Sequence, residues 1–124
     1  SGAGLPGIPL AIRFPLREWR LLEPRRKRAA FLEEAVRALA LPNVTVLPLT
    51  AEAAARDPHL RDAHPLVVAR ALAPPVTAIE LLLPLVLPGG RAAILVADGA
   101  IPPNSTRWGA GIATVMRGPT DGKK

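Results

Sequence analysis

The sequence predicts an α/β fold in which a parallel sheet carries helices on both faces. Two observations lead to this class. Segments with the apolar spacing of helices alternate along the chain with short apolar runs rich in Val, Ile and Leu, and no internal repeat competes with that order. A length of 124 residues with 49% hydrophobic residues is typical of one small domain with a buried core. We therefore expect one domain over residues 1–117, followed by a flexible basic tail over residues 118–124.

The first half of the sequence predicts two helices and two strands. A glycine-rich loop runs into an apolar helix that begins near Ile8. Trp19–Glu23 is a strand candidate closed by Pro24, which suits the first turn of a following helix. Apolar residues recur on one face of a helix over Arg25–Ala40, and the Val-rich segment Asn43–Leu49 is the second strand.

The second half continues the alternation with shorter elements. The predicted elements, in order, are a helix over Ala51–Ala55, a strand over Leu66–Ala69 buried on both faces, a helix face marked by Val76, Ile79, Leu83 and Val86, a turn over Leu87–Gly90, and strands over Ala92–Val96 and Ala110–Met116. Pro84 is expected to kink or end the helix before the turn. The alternation of the two element types thus persists to Met116.

The net charge of +6 indicates an anionic partner. Four cations, Arg25, Arg26, Lys27 and Arg28, fall in the first turn of the predicted helix. The helix dipole favours anions at that end, so cations there destabilise the helix unless an external polyanion binds them. A solvated charged surface is the ordinary interpretation of such a run, and RNA phosphate is the functional one.

A glycine-rich loop and an acidic residue have the spacing of a nucleotide site. Gly2, Gly4 and Gly7 can bring the backbone close to a ligand at a helix N-terminus, although glycine clusters also simply form turns. Glu23 lies 19 residues beyond Gly4, near the offset at which an acidic side chain receives ribose hydroxyls. An adenosine-type cofactor would use both, and the spacing does not distinguish a dinucleotide from S-adenosylmethionine.

Two further charged residues follow predicted strands. Glu52 comes just after the second strand, where it can contact an adenine edge or simply face solvent. Arg70 ends a short apolar run, so we expect its guanidinium to be partly buried and paired with an anion. Asp98 and Glu52 are the candidate partners.

Composition excludes several classes of function. The absence of Cys rules out disulfides, thiolate zinc sites and a cysteine nucleophile, and it is consistent with a reducing, cytoplasmic setting. The most apolar stretch, Ala71–Gly90, is interrupted by four prolines and Glu80, so we expect no membrane partner. A loop holds two histidines and two aspartates that could be drawn as a metal site, but we expect surface residues and no metal there: Asp57, His59, Asp62 and His64.

Several segments, in order, resemble one protein family. They are Ser1–Ala11 with its Pro-Gly-Ile-Pro sequence, Arg26–Glu34, Ala51–Glu52, Val68–Pro74 and Leu87–Arg91. Together they resemble the RsmG (GidB) family, bacterial methyltransferases that use S-adenosylmethionine to methylate a guanine ring nitrogen, position 7, of 16S ribosomal RNA. The likeness extends over nearly the whole chain and implies a Rossmann-like class I methyltransferase sheet.

The resemblance implies a role for each site residue. It places Gly2, Gly4 and Leu5 along the methionine part of S-adenosylmethionine, Glu23 at the ribose, Ala51 and Glu52 at the adenine, and Arg70, the expected catalytic residue, where the cofactor and the target base meet. It also implies that the turn of Arg25, Arg26, Lys27 and Arg28 faces 16S ribosomal RNA or the small ribosomal subunit.

The sequence departs from the family pattern at three places. An Asp-x-Gly strand and helices that precede the glycine loop in the family are missing, which predicts a methyltransferase domain without its first strand and N-terminal helices. Glu23 stands where Asp is usual, and Asp98-Gly99 replaces a Lys-Gly pair. A non-catalytic basic RNA- or ribosome-binding protein is therefore an alternative. A nicotinamide-dependent oxidoreductase is disfavoured by Pro6 and Pro9 at the start of the helix.

Overall fold

The computed structural model describes residues 7–70, 74–96, 105–107 and 112–118. Contacts divide the chain into two compact units, Ser1–Thr50 and Ala51–Lys124, and each is described by itself. In the described residues no helix has both the length and the apolar character needed to cross a membrane.

The first unit contains two helices and a parallel pair of strands. Its elements are α1 (Gly7–Arg13), β1 (Trp19–Leu22), α2 (Arg26–Ala38) and β2 (Val44–Leu47). The strands pair in parallel from Trp19 opposite Val44 to Leu22 opposite Leu47. Apolar residues from all four elements form one core: Ile8, Ala11, Leu21, Leu32 and Val44. The predicted helices and strands of this half are present. However, α2 begins one residue later and ends two residues earlier than predicted, and β2 extends only over Val44–Leu47.

Asn43 connects the end of α1 and the turn after it to the start of β2 by hydrogen bonds. Its Nδ2 donates hydrogen bonds to the carbonyl oxygens of Ala11, at 3.2 Å, and Arg17, at 3.0 Å. The backbone carbonyl of Asn43 in turn accepts a hydrogen bond from the amide of Trp19 at 2.8 Å. These contacts set where β1 begins, and the strand ends at Leu22, directly before Glu23.

The second unit contains a mixed four-stranded sheet. Its elements are α3 (Ala51–Ala55), β3 (His64–Arg70), α4 (Pro75–Leu82), a short 3₁₀ helix (Leu83–Leu85), β4 (Val86–Leu95), β5 (Thr106–Arg107) and β6 (Ile112–Met116). The strand order is β3-β4-β6-β5. β3 and β4 run parallel, whereas β6 runs antiparallel to both β4 and β5. The prediction of a wholly parallel sheet was therefore wrong at its C-terminal end, since short connections allow the last strands to pair antiparallel.

The core of the second unit lies between α4 and β4. Ala78, Ile79 and Leu82 of the helix pack against a set of buried sheet residues: Val86, Ala92, Ile94, Val96 and Ala113. The helix ends at Leu82, and Pro84 lies in the following 3₁₀ helix, as its missing amide hydrogen predicts. Val86, expected on the helix face, instead opens β4 and is completely buried.

β3 is less buried than its sequence predicts. The apolar run Leu66–Ala69 favoured a strand covered on both faces, yet Leu66 is 40% exposed and the rest of the run is half-buried. Among the strands that the structure describes, β3 forms one edge of the four-stranded sheet. The prediction of burial on both faces was wrong, because an unalternating apolar run does not reveal whether a strand is central or at an edge.

The predicted turn at Leu87–Gly90 lies inside β4. The register between β3 and β4 shifts there, since His64 pairs with Val86 but Leu66 pairs with Arg91. Gly89 takes a φ of 86°, a left-handed conformation that glycine adopts without strain. The amide of Gly89 donates to the carbonyl of Arg117 at 2.9 Å, and the Arg117 amide donates to Gly90 at 2.8 Å. The glycine pair therefore forms an irregularity in a continuous strand.

We expect Gly90→Ala to destabilise the protein by about 1–3 kcal/mol, the usual cost of overpacking. A Cβ at residue 90 would lie 2.6 Å from the carbonyl oxygen of Pro65 and 2.8 Å from a methyl of Val86. Gly118→Ala is the matched control, because among the described residues no atom beyond its chain neighbours lies within 4 Å of its added Cβ. Thermal and urea unfolding measure both variants, and equal stabilities would show that β4 can move away from Pro65.

Candidate functional site

Glu23 lies immediately after β1, at the carboxyl end of the parallel pair. Its amide continues the pairing with β2 by donating to the carbonyl of Leu47 at 3.0 Å. The residue is only 1% exposed. Its Oε2 accepts a hydrogen bond from the backbone amide of Arg25 at 2.9 Å and lies 3.7 Å from the Arg25 guanidinium. The carboxylate is thus held in one orientation by the backbone that leads into α2.

This arrangement suits an acceptor for sugar hydroxyls. Ligands of open α/β sheets bind outside the carboxyl ends of the strands, and an acidic side chain there can receive a ribose diol. Glu23 provides a fixed carboxylate at that end of β1, so the chemistry of this residue fits an adenosine-type cofactor. The predicted glycine-loop contacts, Gly2, Gly4 and Leu5, lie outside the described residues.

The turn formed by Arg25, Arg26, Lys27 and Arg28, named here the basic turn, begins α2. All four residues are exposed, and the first helical turn contains no acidic residue. Arg25 occupies the N-cap with extended backbone angles and makes no side-chain cap hydrogen bond. The unfavourable placement of cations at the positive end of the helix dipole, predicted from the sequence, is therefore present in the fold.

Arg25 differs from the other three cations. Both its amide and its guanidinium face Glu23, so this residue joins the basic turn to the candidate ribose acceptor. Sequence reasoning treated the four cations alike and missed this connection. The available signal was the Glu-Pro-Arg order, because a carboxylate can accept a hydrogen bond from the amide two residues on.

We expect Lys27→Glu to stabilise the protein by about 0.3–1 kcal/mol, because it places an anion in the first turn of α2. Arg37→Glu changes the net charge by the same amount but places an anion in the last turn of α2 and breaks a 3.4 Å ion pair with Glu34. It should therefore lower stability. Chemical unfolding of both variants at low salt measures the difference, and two shifts of the same sign would contradict the dipole explanation.

The predicted adenine contacts begin the second unit. Ala51 is half-buried and opens α3, while Glu52 is exposed in its first turn. Glu52 and Arg70 belong to the second unit, whereas Glu23 and the basic turn belong to the first.

Arg70 is exposed, so the expectation that its guanidinium is partly buried was wrong. It is the last residue of β3 and pairs with Leu95, itself 37% exposed at the end of β4. No ion pair joins Arg70 to Glu52, both of which the structure describes, and Asp98 lies outside the described residues.

The two histidines have separate partners. The amide of His59 donates to Asp57 Oδ1 at 2.8 Å, and its Nδ1 lies 3.4 Å from the same oxygen. His64 begins β3, with Nδ1 2.8 Å from the carbonyl oxygen of Leu85. Asp62 pairs instead with Arg117. Within the described ranges, no three His, Cys, Asp or Glu side chains form a group that could hold a metal ion.

Arg117 connects three segments of the second unit. Its guanidinium bonds to the Asp62 carboxylate and donates to the carbonyl oxygens of Val86, at 2.5 Å, and Leu83, at 3.3 Å. Asp62 has a φ of 57°, and its amide donates to Pro84 at 2.9 Å. These contacts hold the loop before β3 against the start of β4, a structural role that the sequence did not reveal.

Solved structures of other proteins share this fold. The putative methyltransferase yhhF of Escherichia coli superposes with a TM-score of 0.67 at 18% identity, covering 96% of this chain and 74% of that protein. A putative methylase of Haemophilus influenzae gives a TM-score of 0.59 at 16% identity, covering 94% of this chain and 82% of that protein. The predicted class I methyltransferase fold is confirmed.

Curated relatives are closer in sequence. Ribosomal RNA small subunit methyltransferase G of Roseiflexus castenholzii is 46% identical over 91 residues, which are 73% of this chain and 39% of the relative. The protein of the same name from Rubrobacter xylanophilus is 38% identical over 116 residues, which are 94% of this chain and 44% of the relative. The chain thus spans about two fifths of the length of these relatives.

The model of the GidB family, described as rRNA small subunit methyltransferase G, matches residues 1–101. This match covers the described parts of both compact units up to the end of β4 and includes Glu23, the basic turn, Glu52 and Arg70. The resemblance drawn from the sequence is therefore confirmed, and the chain belongs to the GidB family of ribosomal RNA small subunit methyltransferases.

Proposed function

We propose that this chain carries the cofactor- and RNA-binding residues of an S-adenosylmethionine-dependent methyltransferase that modifies guanine N7 in 16S ribosomal RNA. The observation that supports this most directly is the fixed carboxylate of Glu23 at the carboxyl end of β1, in a chain of the GidB family. We place the protein in the cytoplasm, because its proposed substrate is ribosomal RNA.

The cofactor residues divide by the part of the ligand that they hold. Glu23 accepts hydrogen bonds from the ribose hydroxyls, and the Arg25 amide keeps its carboxylate oriented. Gly2, Gly4 and Leu5 line the methionine part, and Ala51 with Glu52 contact the adenine. When bound, S-adenosylmethionine supplies the methyl group that its sulfonium sulfur carries.

The catalytic contribution of the chain is alignment. Guanine N7 has a lone pair and no proton to remove, so the site needs no general base. The site raises the reaction rate by holding the acceptor nitrogen in line with the methyl group. Arg70 places its exposed guanidinium at the carboxyl end of β3, where it positions the target base beside the cofactor.

The basic turn binds the RNA backbone. Its exposed cations neutralise phosphates of 16S ribosomal RNA or of the small ribosomal subunit, so affinity falls as the salt concentration rises. The cost of placing these cations at the start of α2 is consistent with such a partner.

Calorimetry with S-adenosylmethionine tests the cofactor proposal, and methyl transfer to unmodified small subunits tests the reaction. We expect saturable cofactor binding in the micromolar range or weaker that NAD does not displace. Displacement by NAD would indicate an oxidoreductase site. Salt-sensitive binding to RNA without cofactor binding or methyl transfer would support a non-catalytic RNA- or ribosome-binding protein.

A further inference from the structure

Phe31 is an aromatic side chain displayed on the solvent side of α2. It is 59% exposed, whereas its neighbours Ala29 and Leu32 are 7% and 0% exposed. At 3.6 residues per turn, Phe31 points away from the side of the helix that those two residues bury. Its ring therefore adds nothing to the core cluster of the first unit, which contains Leu32.

Two cations of the basic turn share this surface of the helix. Lys27 and Arg28 precede Phe31 by four and three residues, the spacings at which helical side chains are neighbours. Large side chains in a helix lean toward its N-terminus, which brings the ring of Phe31 toward these cations. Neither Lys27 nor Arg28 makes an ion pair with any residue that the structure describes.

Neither Glu33 nor Glu34 of the next turn of α2 forms an ion pair with these cations in the described residues. Glu34, three residues after Phe31, pairs with Arg37 at 3.4 Å and is thereby engaged away from the basic turn. An exposed ring beside uncompensated cations is complementary to a ligand that offers both anions and flat apolar faces. Nucleic acid provides both, as phosphates and bases.

We propose that Phe31 stacks on an unpaired RNA base while Lys27 and Arg28 contact the phosphates beside it. In an A-form duplex the base faces are covered by their neighbours, so an aromatic side chain can stack only on a base that a loop, bulge or single strand leaves free. The basic turn with Phe31 thus prefers single-stranded or looped RNA to duplex RNA. This inference rests on the RNA binding assigned to the basic turn above.

Fluorescence anisotropy of the full chain with labelled single-stranded and duplex RNA of equal length tests the proposal. We expect Phe31→Ala and Phe31→Leu to weaken single-strand binding about tenfold, within the range measured for loss of one stacked base, while Phe31→Tyr retains it. Duplex binding and the salt slope should not change in these variants. The matched control is Leu39→Ala, which removes an apolar residue that is 51% exposed at the C-cap of α2, and it should bind like the original chain.

Charge variants separate this inference from the proposal on which it rests. Lys27→Gln and Arg28→Gln should each reduce the single-strand salt slope by about 0.7. If they do so while Phe31→Ala binds normally, stacking is wrong and phosphate binding stands. If neither charge variant affects RNA binding, Lys27 and Arg28 do not contact the phosphates and the proposal is wrong. Equal losses for Phe31→Ala on single-stranded and duplex RNA, or a normal affinity for Phe31→Leu, would also overturn stacking.

Discussion

Replacing Glu23 with glutamine is expected to weaken S-adenosylmethionine binding by about 10- to 100-fold. Hydrogen bonds to a charged acceptor contribute about 1.5–3 kcal/mol, which corresponds to that loss. Glutamine retains the size of the side chain and one oxygen that can accept the hydrogen bond from the Arg25 amide. The substitution therefore changes the charge and the acceptor capacity of the site more than its geometry, and calorimetry measures the result.

Glu33→Gln provides the control for this substitution. It removes the same charge from an exposed position on α2 and should leave cofactor affinity unchanged. Unfolding curves of both variants show whether the fold is retained. Normal cofactor affinity in a folded Glu23→Gln variant would refute the assignment of Glu23 to the ribose.

The largest expected loss of stability follows Ile94→Ala, at about 2–5 kcal/mol. Ile94 lies in β4, between β3 and β6, and is completely buried against α4. Removal of its side chain takes away apolar contacts and leaves a cavity that the neighbouring strands can only partly fill. Urea unfolding should show a lower transition midpoint with little change in slope.

Leu95→Ala is the matched control, since adjacent residues of a strand face opposite sides of the sheet. Leu95 is 37% exposed, so its truncation should cost much less than that of Ile94. Equal losses at the two positions would show that the buried face of β4 differs from the one described.

Local patterns predicted the elements of this fold well. Trp19–Glu23 is followed by Pro24, which suits the start of the next helix, and Ala51–Ala55 combines helix-forming residues over a short span. Both elements occur where they were predicted. The pairing and burial of the strands were less predictable. The burial of β3 and the direction of β6 depend on contacts with residues distant in sequence.

The candidate site shows the same division. The spacing of Glu23 and the run of cations were visible in the sequence, and both lie at the boundary between β1 and α2. The contact between the Glu23 carboxylate and Arg25 had a local signal in the Glu-Pro-Arg order. The solvent exposure of Phe31 was not visible, since helical spacing alone does not state which residues meet a neighbouring element.

The sequence by itself determined the α/β class, the family and the positions of the charged residues that the proposed function uses. These properties depend on residue type, spacing and local conformational preference, all of which are local. Only the tertiary structure decided that Arg70 is exposed, that Glu23 is buried, and that Gly89 and Gly90 lie within β4. Burial and pairing are set by which distant segments come together, and no local pattern contains that information.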